Sequence, residues 1–271
     1  MLRGNNIPSV SNIAIGANMA AAAATKARHG MNESIARLST GVRAMYGADA
    51  AGHSMGKSIA AVGASYAQAA RNIEDGMSYA QMGESVLLEV ANLAQRLREL
   101  AITADNADIL DANQEAALNA EAILIGDTVQ NIVDTTDFNT VEVVDSASAT
   151  QKAIAFGSLT ANTTSVGPNV SITATNTITV AAGMESNADT LLAEVAKGLG
   201  NIAADLTALK AFQGAASSTS ANMSAAGARL IDTDFALETA SLTKNAILNQ
   251  AALAMAAQAN QAQSSILSVL Q

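Results

Sequence analysis

Apolar residues recur at alternating steps of three and four along three stretches of this 271-residue chain, and few folds accommodate that spacing. The spacing keeps each apolar residue on one face of a helix, as in the buried seam between two packed helices. The seam residues are Leu87, Val90, Ala94, Leu97 and Ala101; Leu118, Ala122, Ile125, Val129 and Ile132; and Leu192, Val195, Leu199, Ile202, Leu206 and Leu209. The sequence therefore predicts a mainly α protein with long helices packed as in a coiled coil.

Few residues interrupt these helices. Prolines occur only at Pro8 and Pro168, so glycines and polar turns are the only breaks between Ile13 and Asp137. The polar turn 105–113 separates the first two seams and predicts that their helices fold back as antiparallel neighbours. Three Asp residues at every third position of this turn superficially suggest calcium. The turn lacks the glycine and the terminal glutamate of an EF-hand loop, so we expect a polar turn.

The middle of the chain follows a different pattern. Apolar residues alternate over short runs among Thr, Ser, Asn and Gly, which predicts two or three β-strands, and residues 167–169 (GPN) indicate a turn. The alternating residues are Val141, Val143, Ile154, Phe156, Val170, Ile172, Ile178 and Val180. Helix returns near Leu191, and residues 232–270 are compatible with one helix carrying a small-residue stripe through Ala251, Met255 and Ala259.

Composition excludes several classes of function. The chain is 49% hydrophobic but only 3% aromatic and has no Trp, which favours closely packed helices over a small-molecule pocket. A net charge of −10 opposes binding to nucleic acid or anionic membranes. The apolar run 13–24 is too short to span a membrane, and we expect an amphipathic helix there rather than a cleaved signal peptide.

The sequence contains no convincing catalytic, metal-binding or cofactor-binding motif. Cysteine is absent, and His29 and His53 have no spacing typical of metal ligands. We find no nucleophile–base pair, phosphate loop or cofactor fingerprint. The sequence therefore predicts a protein that is not an enzyme and has no catalytic residue, metal or cofactor.

Several short segments, in order and at both ends, resemble the bacterial flagellins. The family patterns include I-x-R-L-S-S/T-G-x-R, D-D-A-A-G, Q-R-V/L-R-E-L-A and R-I-x-D-x-D-Y/F-A-x-E. The matching segments are 35–43 (IARLSTGVR), 48–52 (ADAAG), 71–76 (RNIEDG), 80–81 (AQ), 95–101 (QRLRELA), 138–139 (FN), 229–238 (RLIDTDFALE), 257–261 (AQANQ) and 266–270 (ILSVL). The chain departs from the family at Ala48 in place of Asp, at Thr140 in place of the turn glycine, and at Gln271 in place of a final Arg.

The resemblance implies an architecture and a function. Residues 1–40 and 231–271 would form an inner core of terminal helices, 41–52 a spoke, and 53–230 a helical rod with its β region near 140–186. The N- and C-terminal segments would thus build a long antiparallel coiled-coil rod with a small, hairpin-rich middle. The implied function is a self-assembling subunit of the extracellular flagellar filament for swimming, exported by the flagellar type III system without a cleaved signal peptide.

The resemblance also implies partners. Besides other copies of itself, these would be an export chaperone, the hook-associated and cap proteins, and the vertebrate Toll-like receptor for flagellin. In flagellins one segment contacts both neighbouring subunits and that receptor. The corresponding residues are Gln95, Arg96, Leu97, Arg98, Glu99, Leu100 and Glu121. The chaperone wraps the last helices, where the candidate residues for chaperone contact and core packing are Ile247, Leu248, Met255, Ile266, Leu267 and Leu270.

Three alternatives accompany this interpretation. The hook–filament junction protein shares flagellin-like ends, although the closing segments 257–261 and 266–270 favour the filament subunit. A flagellin carrying a metallopeptidase insert would need a His-Glu-x-x-His helix, which the sequence lacks. A plain coiled-coil protein would explain the apolar spacing but not the ordered motifs.

Overall fold

Five long helices account for most of the chain, which confirms the mainly α class. The computed structural model describes residues 7–43, 49–145, 151–157, 163–172 and 184–270. The helices are α1 (Ile7–Thr40), α2 (Ala50–Ala104), α3 (Ala112–Thr135), α4 (Met184–Ile231) and α5 (Phe235–Leu270), with a short 3-10 turn at Ala107–Ile109. The strands are β1 (Asp137–Phe138), β2 (Val141–Glu142), β3 (Lys152–Ala155) and β4 (Thr163–Val166).

The chain divides into two compact units. The terminal unit comprises Met1–Ala60 with Ser224–Gln271, and the middle unit comprises Ala61–Met223. Helices α1 and α5 lie wholly in the first unit, and α3 and all four strands lie in the second. The finer division into inner core, spoke and rod stays a prediction.

The core of the middle unit follows the predicted seams. All five residues of the first seam, Leu87 to Ala101, are buried. In the second seam Ala122, Ile125 and Val129 are buried, while the flanking Leu118 and Ile132 are half-buried. In α4 the buried residues Val195, Ile202 and Leu209 alternate with half-buried leucines. The steps of three and four thus identified the correct face of all three helices.

A capping box ends the polar turn between α2 and α3. The Asp111 carboxylate accepts hydrogen bonds from the backbone N–H groups of Asn113 and Gln114, at 2.8 and 2.9 Å. The Gln114 side chain in turn accepts the Asp111 N–H at 3.0 Å. Together these bonds satisfy donors that the first turn of α3 leaves open. The predicted polar turn is confirmed, and Asp111 serves it as a helix cap.

Two short antiparallel pairs form the β region. Strand β1 pairs with β2, and β3 pairs with β4 from Lys152 opposite Val166 to Ala155 opposite Thr163. The prediction that Val143, Val170 and Ile172 lie in strands is wrong, since all three lie outside β1–β4, although they are buried in the core of the middle unit. The predicted strand through Ile178 and Val180 lies outside the described residues.

The predicted turn at residues 167–169 is bonded to α4. The Gly167 N–H donates to the Asp205 carboxylate at 3.0 Å, and the Asn201 amide donates to the Pro168 carbonyl at 2.8 Å. Burial raises the pKa of Asp205, and the Gly167 N–H partly counters this effect. Both Gly167 (φ 146°) and Asn169 (φ 49°) have positive φ, as turn residues commonly do.

Small residues hold α1 and α5 together in the terminal unit. The helices are antiparallel, since Arg37 meets Glu238 while Gly30 meets Asn245 farther along. A Cβ on Gly30 would lie 2.7 Å from the Asn245 amide nitrogen, so a larger residue there would displace the Asn245 side chain. Among the residues of α1 and α5 whose burial the structure describes, the buried apolar ones are Ala24, Ala27 and Ala252.

The small-residue stripe predicted on α5 lies only partly on the inward face. Ala259 belongs to that face, whereas Ala251 and Met255 are exposed, and the other inward positions are Ala252 and Ala256. Apolar residues lie on most sides of α5, so its sequence carries little information about which face turns inward. The helix also begins three residues later than expected, at Phe235, because Asp234 accepts the N–H groups of Ala236 and Leu237 as an N-cap.

The β1–β2 hairpin yields a stability prediction. Its two-residue loop places Asn139 (φ 51°) and Thr140 (φ 64°) in the left-handed region, where a β-branched side chain is strained. Replacing Thr140 with Gly should raise the free energy of unfolding by about 1 kcal/mol, after allowing for the greater freedom of glycine in the unfolded chain. Chemical denaturation followed by circular dichroism measures this change.

Thr140→Ala is the matched control for this substitution. It keeps the Cβ atom that creates the strain, so it should gain much less than Thr140→Gly. Equal stability of the glycine variant and the parent chain would contradict the prediction.

Candidate protein-contact surfaces

Motif segments from the two ends of the chain meet in the terminal unit. The guanidinium of Arg37, from the segment 35–43, lies 3.5 Å from the carboxylate of Glu238, from the segment 229–238. Their side chains are only 24% and 12% exposed, so the pair is shielded from water. Arg37 also lies 3.6 Å from Glu33, one turn earlier on α1. The ion pair therefore joins residues 201 positions apart and links the ends of α1 and α5 that lie together.

Backbone bonds continue this connection beyond the end of α1. The Thr233 N–H donates to the Gly41 carbonyl at 2.9 Å, and the Arg43 N–H donates to the Ile231 carbonyl at 2.8 Å. Gly41 has φ 70° and ends α1 by donating its own N–H to the Arg37 carbonyl. We call residues 37–43 and 230–238, with these bonds and the ion pair, the clasp.

Arg43 and Asp49 join the clasp to the start of α2. The Arg43 guanidinium donates to the Asp49 carboxylate at 2.6 Å and to the Leu230 carbonyl at 3.2 Å. The Asp49 carboxylate also accepts the Gly52 N–H at 2.9 Å. The Gly52 N–H, followed by Arg43, lowers the pKa of Asp49. Residues 44–48, which include the Ala48 departure, lie outside the described residues.

Large apolar side chains lie on the outer faces of both terminal helices. Among the predicted residues of α5, Ile247, Leu248 and Met255 are 60%, 48% and 62% exposed, so none of them is enclosed by this chain. The side chains of the predicted Ile266, Leu267 and Leu270 lie outside the described residues. Other large apolar side chains of the two helices are also exposed, namely Ile15, Met19, Ile35, Phe235, Leu237 and Leu253. We call this set, with Ile247, Leu248 and Met255, the terminal apolar surface.

The predicted contact segment at 95–100 divides between the core and the surface. Leu97 and Leu100 are buried in the core of the middle unit, so their role in this structure is internal packing. Gln95, Arg96, Arg98 and Glu99 are exposed on α2. The exposed four are therefore the ones available to a partner.

Ion pairs hold the exposed arginines in place. Arg96 donates two hydrogen bonds to Glu121 on α3, at 2.7 and 3.0 Å, and a third to Glu99 at 3.1 Å. The bonds to Glu121 and then to Glu99 raise the pKa of Arg96. The structure thus brings the predicted Glu121 into direct contact with the predicted segment.

The sequence did not indicate several other exposed features of the middle unit. Arg98 pairs with Asp189 on α4 at 2.9 Å, a contact that depends on packing between helices distant in sequence. Ile109 and Leu124 are 81% and 66% exposed, which is unusual for large apolar side chains.

The described residues also show neither a metal site nor a membrane span. Among them, no group of three or more His, Asp or Glu side chains is arranged to hold a metal ion. No described helix is long and apolar enough to cross a membrane.

Comparison with protein families yields two matches. The model of the bacterial flagellin N-terminal helical region matches residues 11–150, and the model of the bacterial flagellin C-terminal helical region matches residues 186–270. These ranges contain all the residues of the clasp, the terminal apolar surface and the segment 95–100.

Individual relatives match along most of their length. The chain is 33% identical over 245 residues to a flagellin of Halalkalibacterium halodurans, covering 86% of this chain and 89% of that protein. It is 28% identical to a flagellin of Bacillus subtilis, covering 86% and 90%. It is 27% identical to the flagellar filament core protein flaB2 of Brachyspira hyodysenteriae, covering 85% and 88%.

Proposed function

The chain belongs to the bacterial flagellin family and is a structural subunit of the flagellar filament, and from this premise we propose that it assembles through the terminal apolar surface. The observation that carries the proposal is the exposure of large apolar side chains on both terminal helices, including Met19 at 68% and Leu237 at 69%. Monomeric soluble proteins rarely expose many such side chains on adjoining helices.

Burial of these side chains supplies the driving force. Removing one Ile, Leu or Met side chain from water stabilises an assembly by about 1.5–3 kcal/mol before the costs of association. The inner seam of α1 and α5, by contrast, buries mostly alanine. Contacts with other copies therefore contribute more apolar burial to these helices than their partner in the same chain does.

The geometry of a filament adds a requirement. Open-ended growth needs a heterologous contact, in which one patch of a subunit meets a different patch of the next. If α1 and α5 order only when they dock on other copies, as the resemblance implies, assembly is coupled to folding. The resemblance also implies cap and hook-associated proteins at the ends of such a filament, and they remain proposed partners.

Seeded growth tests the role of the terminal apolar surface. Electron microscopy of the full chain, mixed with short filament seeds, should show long filaments. Ile247→Asp places a charge where we expect an apolar contact, and it should raise the concentration needed for growth at least about tenfold. Chains lacking residues 1–40 or 231–271 should form no filaments while the remainder stays soluble.

Ile247→Leu is the matched control, since it keeps the apolar contact at the same site. Because Ile247 is exposed, neither variant should change the circular dichroism of the monomer. Growth of the Ile247→Asp chain at the concentration of the parent would contradict the proposed surface.

A second proposed partner is the vertebrate Toll-like receptor for flagellin, which the resemblance assigns to the segment 95–101. The exposed Arg96 supports this proposal, because Glu121 and Glu99 hold its guanidinium in a fixed position. Purified monomer should activate reporter cells that carry the receptor. Arg96→Ala should lower the potency about tenfold, as expected for an ordered arginine at an interface.

Lys197→Ala is the control for the receptor assay. Lys197 is also exposed and paired with an acidic neighbour, but it lies on α4, outside the predicted segment. An absence of response to the parent monomer, or equal losses for the two variants, would contradict receptor recognition through Arg96.

A third proposed partner is the export chaperone, which would cover the α5 surface before secretion. The exposed Leu248 and Met255 support this proposal, since a polymerising surface needs shielding inside the cell. A pull-down with the chaperone should retain the full chain and lose the chain that lacks residues 232–271. Equal retention of both chains would contradict the chaperone proposal. Lys244→Ala is the control, because it changes an exposed residue of the same helix and should leave the chain retained.

A further inference from the structure

Methionine is the side chain of this protein that peroxide oxidises most readily. The sequence contains ten methionines but no cysteine and no tryptophan, so no thiol competes for the oxidant. Peroxide converts the apolar thioether of methionine into a polar sulfoxide, and exposed side chains react first. The positions of the exposed methionines therefore determine what oxidation changes in this chain.

Among the residues whose burial the structure describes, all the exposed methionines lie in the terminal unit. Met19, Met55 and Met255 are 68%, 58% and 62% exposed. The described methionine side chains of the middle unit are half-buried, and two of them, Met77 and Met82, pack against its core. Peroxide in solution therefore reaches sulfur most easily in the unit through which the chain is proposed to assemble.

Two of the exposed sulfurs lie at one level of the α1–α5 pair. The contact of Gly30 with Asn245 and the ion pair of the clasp fit a single antiparallel register. That register places Met19 level with residue 256, so Met255 is displaced from it by one residue, a rise of about 1.5 Å along a helix. Both methionines belong to the terminal apolar surface, whereas Met55 lies on α2, outside that surface.

We propose that Met19 and Met255 are oxidation sites at which peroxide controls filament growth. In the free chain, hydrogen peroxide converts them to sulfoxides, which oppose the docking of the terminal apolar surface on another copy. In the filament the same contact covers both sulfurs and slows their oxidation. The inference rests on the proposed assembly through α1 and α5, and it adds a chemical control to that surface.

The oxidation is a two-electron step in which hydrogen peroxide is the only other reactant. The thioether sulfur attacks one peroxide oxygen, the S–O bond forms as the O–O bond breaks, and the second oxygen leaves as water with both protons. The sulfoxide oxygen accepts hydrogen bonds, so burying it without a partner costs free energy that burying a thioether does not. Methionine sulfoxide reductases reverse the step, so the block should be reversible.

Seeded growth of peroxide-treated chains tests the proposal. The readout is the ratio of the critical concentrations of one full-length chain after and before treatment, measured with untreated parent seeds after the peroxide is removed. For the parent chain this ratio should be at least about ten, because polar groups replace apolar ones in the contact. For the double variant Met19→Leu/Met255→Leu, which has no sulfur at either site, treatment should leave the critical concentration unchanged.

Met55→Leu is the matched control for the double variant. It removes an equally exposed methionine from the same unit but leaves both proposed sites in place, so its ratio should equal that of the parent. Met255→Gln introduces a polar side chain of similar length without any oxidant, and it should raise the critical concentration. Met55→Gln should not.

Peptide mass spectrometry locates the sulfoxides directly. Treated monomer should contain sulfoxide at both Met19 and Met255, and preformed filaments should acquire it there at least about tenfold more slowly, because oxidation follows exposure. Treatment of the oxidised parent chain with methionine sulfoxide reductases should remove the sulfoxides and restore its growth.

The outcomes separate the oxidation sites from the assembly proposal. Failure of the untreated parent chain to elongate from seeds would overturn the proposed function and this inference with it. Normal growth of a parent chain that carries both sulfoxides, an equal loss in the double variant, or equally fast oxidation of filament and monomer would overturn the oxidation sites alone. Loss of growth in the treated parent and Met55→Leu chains, with growth retained in the double variant and recovered with the reductases, would support them.

Discussion

The close approach of α1 and α5 is the constraint on which the rest of the terminal unit depends. Gly30 and the alanines of the seam let the helices come together, but small side chains bury little apolar area. Ordering one residue costs about 1–2 kcal/mol of backbone entropy, which burial of one alanine does not offset. The middle unit differs, because Ile73, Leu87 and Leu209 are fully buried there. The terminal helices therefore need stabilisation that their own seam does not provide.

The clasp and the terminal apolar surface contribute to the stability of the terminal helices in different ways. The Arg37–Glu238 pair and the bonds from Thr233 to Gly41 and from Arg43 to Ile231 fix the register in which the two ends of the chain meet. Their main effect is on the register of the two helices rather than on the free energy of folding, because desolvation of a shielded ion pair offsets much of its attraction. The large side chains on the outer faces contribute only when another copy covers them. With small residues inside and large ones outside, the proposed assembly would bury the larger apolar side chains of the terminal helices.

The sequence predicted the features that depend on local periodicity and missed those that depend on tertiary packing. The seam from Leu87 to Ala101 was correct because apolar and charged residues alternate clearly along α2. The stripe on α5 was wrong at Ala251 and Met255 because α5 is apolar on most sides, so its sequence does not show which of its residues turn inward. The contacts of Arg98 with Asp189 and of Arg37 with Glu238 join segments far apart in the chain, so no spacing could indicate them.

The charge of the chain is unevenly divided between the two units, and this division agrees with assembly through the terminal unit. The terminal unit contains eight Lys and Arg and five Asp and Glu, whereas the middle unit contains six and nineteen. The net charges are thus +3 and −13, which add to the −10 of the whole chain. Middle units of different copies repel one another over roughly the Debye length, about 8 Å at physiological salt. An assembly driven by the middle unit would work against that repulsion, whereas apolar burial on the nearly neutral terminal helices does not. The proposed attraction between copies therefore lies in the unit that has the smaller net charge.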